Sequence, residues 1–95
     1  MSERRMLKYP LFDMGNVVLD DSVTIKGPWP TSFQHLAMQG RVITLWAIAG
    51  YMLPTKDRTF LVVGTGHVIQ GDLGYVGTVQ DGMYVWHVFE KFPPT

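Results

Sequence analysis

The dipeptide Asp81-Gly82 constrains the fold of this chain more than any other feature, because it lies between two apolar segments rich in β-branched and aromatic residues. An Asp-Gly pair in this setting is a strong signal for a tight β-hairpin, since glycine readily adopts the positive φ that a two-residue turn requires. We therefore predict antiparallel strands over residues 74–80 and 83–90, joined by this dipeptide.

A second hairpin is indicated by Gln39-Gly40, which separates residues 32–38 from residues 41–49. Apolar side chains fall on both surfaces of these two segments, as in paired strands. The alternative is a short helix over residues 33–38, whose side chains tolerate one, but it would be only about two turns long. We favour the strand.

The position of each dipeptide also predicts how the strands of its hairpin pair. With Gln39-Gly40 at the tip, Ala37 lies opposite Val42. With Asp81-Gly82 at the tip, Gly77 lies opposite Trp86, so that the indole covers the backbone left bare by the glycine.

Three further segments have the composition of strands, namely residues 6–12, 22–26 and 58–63. Residues 27–30 contain two prolines and end the second of these, while residues 50–57 are typical of an exposed loop. Together these elements predict a mainly β fold with little helix. We expect a small antiparallel sandwich or a partly closed barrel of about six or seven strands.

Length and composition favour one domain that associates with copies of itself. The 95 residues leave room for a single β-rich domain, with residues 1–5 and 92–95 as frayed tails. Hydrophobic residues make up 46% of the chain and charged residues only 17%, against about 25% charged in an average domain. Because so small a chain cannot bury all of its apolar surface, we predict a homo-oligomer, with a dimer as the default.

The charges and the lack of cysteine exclude several classes of function. Eight basic residues balance eight acidic ones, so no overall positive field attracts nucleic acid or an anionic membrane non-specifically. Without cysteine the chain forms neither disulfides nor thiolate metal sites, which fits a reducing cytosol. We find neither a signal peptide nor a run of membrane-spanning length and expect a cytoplasmic protein.

The strongest candidate for a binding site is Gly64-Thr65-Gly66-His67, which follows a predicted strand. Its backbone N–H groups could line a small anion-binding nest, while the hydroxyl and the imidazole add further hydrogen-bonding groups. The segment matches neither the dinucleotide fingerprint nor the phosphate-loop pattern. The alternative is a sharp structural turn, for which two glycines are equally well suited.

Aromatic residues make up 13% of the chain, which is more flat apolar area than a core of this size needs. Trp46 or Trp86 could stack a base, and Arg58, at the start of the same strand that leads into the glycine-rich turn, could neutralise a phosphate. The alternative is that the rings pack the sheets and the arginine is solvated.

The histidines give no catalytic or metal signature. His35, His67 and His87 lack the short spacings of metal-binding motifs, and His87 lies in a predicted strand, where a structural imidazole is more typical. The sequence has no nucleophile-elbow motif. We therefore expect no cofactor, no metal and no enzymatic activity, with a small hydrolase that uses His67 as the least favoured option.

Several blocks resemble a known family in their order and spacing: Leu45-Trp46-Ala47, Arg58-Thr59-Phe60, Gly64-Thr65-Gly66-His67, residues 75–80 and residues 85–90. They are similar to blocks in a family of small phage-encoded proteins described only as a domain of unknown function. The resemblance covers nearly the whole chain. It implies a phage accessory protein in the cytoplasm of an infected bacterium, and it brings no catalytic residues with it.

Small β-rich phage accessory proteins often act against host defences, and by this analogy two functions compete. In the first, the protein sequesters a nucleotide-derived immune signal without cleaving it, which fits the surplus of aromatic residues and the lack of a catalytic motif. In the alternative, it blocks a host defence protein directly through an exposed aromatic surface. Retention of a small nucleotide-like ligand separates the two.

Overall fold

The computed structural model describes residues 4–15, 22–28, 31–50 and 54–92. Within these ranges the chain is all-β, which confirms the predicted fold class. The seven strands are β1 (Arg4–Asp13), β2 (Ser22–Pro28), β3 (Thr31–Gln39), β4 (Val42–Gly50), β5 (Thr55–Gly64), β6 (Leu73–Asp81) and β7 (Tyr84–Lys91). No helix that is long and apolar enough to cross a membrane occurs in the part of the chain that the structure describes.

The strands form two antiparallel sheets. One sheet has three strands in the order β1-β4-β3, and the other has four in the order β2-β5-β7-β6. The sheets pack face to face, so the chain adopts the sandwich rather than the barrel. On one side of this sandwich, the edge strands β3 and β6 lie next to each other.

The core lies between the sheets, because alternate residues of the interior strands point inward. The fully buried apolar side chains that meet there are Ile43 and Leu45 from β4, Phe60 and Val62 from β5, and Val88 from β7. Burial of each side chain of this size contributes about 1.5–3 kcal/mol relative to exposure. The β-branched and aromatic composition of these strands is therefore what selects the sandwich.

Both predicted hairpins exist, but their predicted registers are wrong. Gly40 and Gly82 are the first residues of their turns, at φ values of 61° and 59°, whereas the sequence analysis placed each glycine second. Two-residue turns accept glycine at either position, so an X-Gly pair alone does not fix the tip. As a result Ala37 pairs with Thr44 rather than with Val42.

In the second hairpin the corrected register changes the surroundings of Gly77. This glycine pairs with Val88, not with Trp86. A Cβ at Gly77 would lie 3.1 Å from Cδ2 of Leu36, so the side chain that covers the bare backbone comes from β3 in the other sheet. The sheets can approach closely here because residue 77 has no side chain.

Two strands extend further than the sequence predicts. Pro28 of β2 pairs with Thr55 of β5, where residues 50–57 were expected to form an exposed loop. Because β2 is an edge strand, the missing N–H of proline costs no ladder hydrogen bond on the solvent side. At the N-terminus, β1 begins at Arg4, which pairs with Gly50. Residues 1–3, 16–21, 29–30, 51–53 and 93–95 lie outside the described residues.

Candidate functional site

A cleft of about 230 Å³ lies between the edge strands β3 and β6. Each strand has a bulge at this point, and the extra residues, Gln34 in β3 and Val76 in β6, both line the cleft. A bulge bends its strand and disrupts the regular ladder, so two facing bulges keep the edges apart. The cleft therefore lies where the backbones of both edge strands are irregular.

The side-chain amide of Gln34 has a defined orientation in the cleft. Its Nε2 donates to the backbone carbonyl of Ser32 at 3.3 Å and to the Ser32 hydroxyl at 2.8 Å. A carbonyl oxygen can only accept, so the nitrogen of the amide must face Ser32. This arrangement leaves Oε1 as the hydrogen-bonding atom that Gln34 can offer to another molecule.

A row of hydrogen-bonded side chains, which we call the hydroxyl row, runs across the outer face of the four-stranded sheet. Nε2 of His87 lies 2.7 Å from the hydroxyl of Thr65, and Nδ1 lies 2.9 Å from the hydroxyl of Thr78. The Thr78 hydroxyl also contacts the hydroxyl of Tyr75. Because Thr78 lines the cleft, the hydroxyl row reaches from the end of β5 to the cleft.

Strand alternation explains how the hydroxyl row forms. Val88 points into the core, so its neighbour His87 points outward, where it pairs with Thr78 of β6 on one side and with Val63 of β5 on the other. Thr65 follows directly after the last residue of β5. The Cβ atoms of cross-strand neighbours on one face lie about 4.5–5.5 Å apart, which is close enough for their side chains to form these hydrogen bonds.

The glycine-rich segment forms a turn at the end of β5. The N–H of His67 donates to the carbonyl of Gly64 at 3.3 Å, and Gly66 has a φ of 91°. Gly64 is the residue of β5 that pairs with Trp86. The backbone of Trp86 thus lies beside the start of the turn, whereas its side chain packs against the core, and a ligand-binding role of the turn stays a prediction.

Arg58 lies near the start of β5, at the end opposite the glycine-rich turn, and it is buried inside the sandwich. Its Nε and Nη2 each donate to a carboxylate oxygen of Glu90 at 2.7 Å, and both side chains are buried. The guanidinium carbon also lies 4.6 Å from the centre of the Phe33 ring. Arg58 therefore has a structural ion pair where the sequence analysis predicted a ligand contact.

Tyr9 lies close to this ion pair, beside the small cavity that Arg58 and Phe33 line. Burial raises the pKa of the Tyr9 hydroxyl, and the positive charge of Arg58 lowers it by less. Gly27 lies against the same hydroxyl, since a Cβ at Gly27 would be 2.7 Å from it. The surroundings of Tyr9 thus favour the neutral form of its phenol.

Trp46 and Trp86, which the sequence offers as alternatives for stacking a base, lie in different sheets. Trp46 is on the outer face of the three-stranded sheet, where its ring centre lies 5.6 Å from that of His35. Trp86 packs against the core and stacks on Tyr84 at 6.0 Å, and its buried Nε1 has no hydrogen-bond partner among the residues that the structure describes. They do not form one platform.

Three residues of the candidate site were not predicted from the sequence, namely Gln34, Thr78 and His87. The predicted pairing of Gly77 with Trp86 implies that Val76 lies opposite His87, whereas in the structure Thr78 lies opposite His87. Placing Gly82 first in the turn would have predicted the pairing of Thr78 with His87. Gln34 could not be found in the same way, because the local sequence predicts neither the bulge in β3 nor the proximity of β6.

The chemistry of these groups favours binding over catalysis. The distance between Thr65 and His87 is that of a nucleophile and its base. The far nitrogen of His87, however, contacts the neutral hydroxyl of Thr78 and not a carboxylate that would stabilise a positive imidazole. Among the described residues, no three side chains of His, Asp or Glu are grouped as a metal site requires.

Fold and site together define an antiparallel β sandwich with a polar cleft between the edge strands of its two sheets. The family model of the domain of unknown function DUF7352 matches residues 2–95, and the chain belongs to this family. Neither the comparison with curated proteins nor that with solved structures finds a match.

Proposed function

We propose that this protein binds a small nucleotide-like ligand in the cleft between β3 and β6 and releases it unchanged. The observation that supports this proposal best is the mixed lining of the cleft. The residues that line it include two with aromatic rings, Phe33 and His35, and two with hydrogen-bonding side chains, Gln34 and Thr78. A nucleobase needs this combination, with a flat face for stacking and an edge for hydrogen bonds.

The size of the cleft limits what it can enclose. Its volume of about 230 Å³ is below the roughly 300–1,000 Å³ of pockets that bury a drug-sized molecule. We therefore expect it to hold one base, while the sugar and phosphate groups lie along the hydroxyl row on the outer face. Stacking of the base on an aromatic ring would contribute about 1–3 kcal/mol.

We propose the wider setting of this binding function from the sequence resemblance. In that setting the protein is a phage accessory protein in the cytoplasm of an infected bacterium, where it sequesters a nucleotide-derived immune signal. The neutral partner on the far side of His87 supports sequestration rather than cleavage. We also propose that the protein acts as a homo-oligomer, which would raise the number of sites per particle.

Recovery of bound ligand tests the proposed function. The protein is incubated with a panel of cyclic dinucleotides and cyclic ADP-ribose isomers, washed, and denatured by heat, and the released compound is identified by mass spectrometry. We expect one compound to be retained and recovered intact. Recovery of a degraded compound would indicate an enzyme, and retention of none would contradict the proposal.

Two threonine variants locate the retained compound. Thr78→Val removes the hydroxyl of a residue that lines the cleft and should reduce retention about tenfold. Thr24→Val is the matched control, because Thr24 also lies on the outer face of the four-stranded sheet and bonds a hydroxyl, that of Thr59, at 2.8 Å. Equal losses from both variants would place the bound compound outside the cleft.

A second candidate function is direct contact with a host defence protein, and one observation favours it. At the tip of the β6–β7 hairpin, Met83 is 94% exposed and Tyr84 is 66% exposed. Aromatic side chains that project from a surface commonly anchor protein interfaces. If no nucleotide is retained, Tyr84→Ala should abolish inhibition of the host system while leaving the fold intact.

A further inference from the structure

We infer that the cleft selects bases that present an amino group, adenine and cytosine, over the related bases that present a carbonyl at the same position. The inference rests on the proposed function and names the class of ligand for the same cleft. It also assigns a role to His87, which does not line the cleft: this imidazole orients the hydroxyl of Thr78.

Gln34 supplies the first acceptor. Its Nε2 is engaged by the carbonyl and the hydroxyl of Ser32, so only Oε1 can bond a ligand. A carbonyl oxygen accepts hydrogen bonds and cannot donate them. Another carbonyl placed against this atom would leave two acceptors facing each other, with no proton between them.

Thr78 supplies the second acceptor, because its single hydroxyl proton is already in use. The hydroxyl touches both Tyr75 and Nδ1 of His87. A phenol is a stronger acid than an aliphatic alcohol, so Tyr75 is the donor to Thr78. With Tyr75 as the donor to Thr78, we assign the Thr78 proton to the contact with Nδ1 of His87 and the imidazole proton to Nε2, which faces Thr65.

With this arrangement, the Thr78 oxygen keeps one lone pair for a ligand and has no proton to give. Both cleft-lining polar side chains whose hydrogen bonds are described, Gln34 and Thr78, therefore accept from a ligand. A ligand satisfies them with N–H groups, as the amino group of adenine or cytosine does. His87 is a positioning residue here, because it determines where the proton of Thr78 points without touching the base.

The experiment compares matched nucleotides that differ at one group. AMP and IMP share the ribose and the phosphate but carry an amino group or a carbonyl at the same ring position, and CMP and UMP form a second such pair. Calorimetric titration of the intact protein should show AMP and CMP bound at least about tenfold more tightly than their partners, since an unpaired acceptor costs about that much. Equal affinities, or tighter binding of IMP and UMP, would overturn the inference.

The role of His87 is tested by the ratio of the two affinities. His87→Ala frees the Thr78 proton to turn toward a ligand carbonyl, so the AMP-to-IMP preference should fall several-fold while AMP still binds. If His87 had only a structural role, both affinities would fall together and the ratio would stay constant. Thr24→Val, on the same sheet face, should keep the parent ratio.

The remaining outcomes separate this inference from the proposed function. If the four mononucleotides do not bind but a cyclic nucleotide is retained intact, the inference fails and the binding function stands. If no nucleotide of either set is retained, both fail.

Discussion

Arg58 and Glu90 form a two-pronged ion pair on the inner face of the four-stranded sheet, with Nε to Oε2 and Nη2 to Oε1 each at 2.7 Å. The two residues are only 9% and 7% exposed. Paired N–H···O bonds of this kind satisfy both carboxylate oxygens and hold the two strands in one register. Each side chain thus offsets the free-energy cost of burying the charge of the other.

Glu90→Gln should destabilise the protein by about 3 kcal/mol, because it leaves the guanidinium of Arg58 buried without its carboxylate. Denaturant unfolding monitored by tryptophan fluorescence measures the loss. The matched control is Asp57→Asn: the neighbouring Lys26–Asp57 pair spans 3.7 Å with side chains 71% and 65% exposed, and its loss should cost under about 1 kcal/mol. Similar losses from both variants would contradict a special role for the buried pair.

The contact between Leu36 and Gly77 predicts a second effect on stability. An added Cβ in Gly77→Ala would lie 3.1 Å from Cδ2 and 3.3 Å from Cβ of Leu36, so it should destabilise by about 1–2 kcal/mol. Gly74→Ala is the control, because its Cβ meets only the ring of Phe92, which is 38% exposed and can turn into solvent. Thermal unfolding should show the larger loss for Gly77→Ala; the reverse order would mean that Leu36 relaxes freely.

These two contacts also show why the sequence predicts the strands better than their contacts. Alternating β-branched and aromatic residues identify a strand locally, and the X-Gly pairs identify the hairpins. The tip of each turn is ambiguous by one position, however, and a one-position error at the tip changes every cross-strand pair. For this reason the sequence did not predict that Gly77 pairs with Val88.

The site was less predictable than the fold, because it depends on non-local geometry. The turn at Gly64 could be recognised from its glycines. The cleft could not, since it arises where bulged edges of different sheets meet. The partner of Arg58 was equally hard to predict, because Glu90 lies near the end of β7, 32 residues away in the sequence.

Tyr9 gives the protein a defined loss of stability at high pH. Burial raises the pKa of its hydroxyl in the folded protein above the ordinary value of 10.0, so the unfolded chain loses its proton first. The stabilisation from the neutral phenol is present below pH 10 and is lost as the pH rises through the folded-state pKa. Urea unfolding from pH 8 to 11 should show a smaller decline for Tyr9→Phe, and parallel curves would contradict the shift.

The turn after β5 should contribute to binding without contributing much to stability. Thr65→Ala and His67→Ala should each weaken nucleotide retention several-fold, because the first removes the hydroxyl that contacts His87 and the second removes the imidazole donor at the turn. Both side chains are exposed, so the melting temperature should fall by no more than about 4 °C. Unfolding of either variant, or binding equal to that of the parent, would show that the turn is only structural.

The tip of the β6–β7 hairpin is where we expect copies of this chain to meet. Met83 and Tyr84 project from the turn at 94% and 66% exposure, and apolar groups so exposed gain from contact with a partner surface. Light scattering at micromolar concentration should therefore give a mass above the 10.8 kDa of one chain, and Met83→Lys should lower it toward that value.

Val68→Lys provides the control for this last experiment, since Val68 is 78% exposed but lies in the segment between β5 and β6 and not at the hairpin tip. A charge at Val68 adds the same repulsion between copies without touching the proposed contact, so the mass should stay at the parent value. If both variants dissociate the oligomer, then either the interface lies elsewhere or the added charge alone drives the copies apart. A parent protein that scatters as a 10.8 kDa monomer would refute self-association and leave the exposed tip available to a different protein.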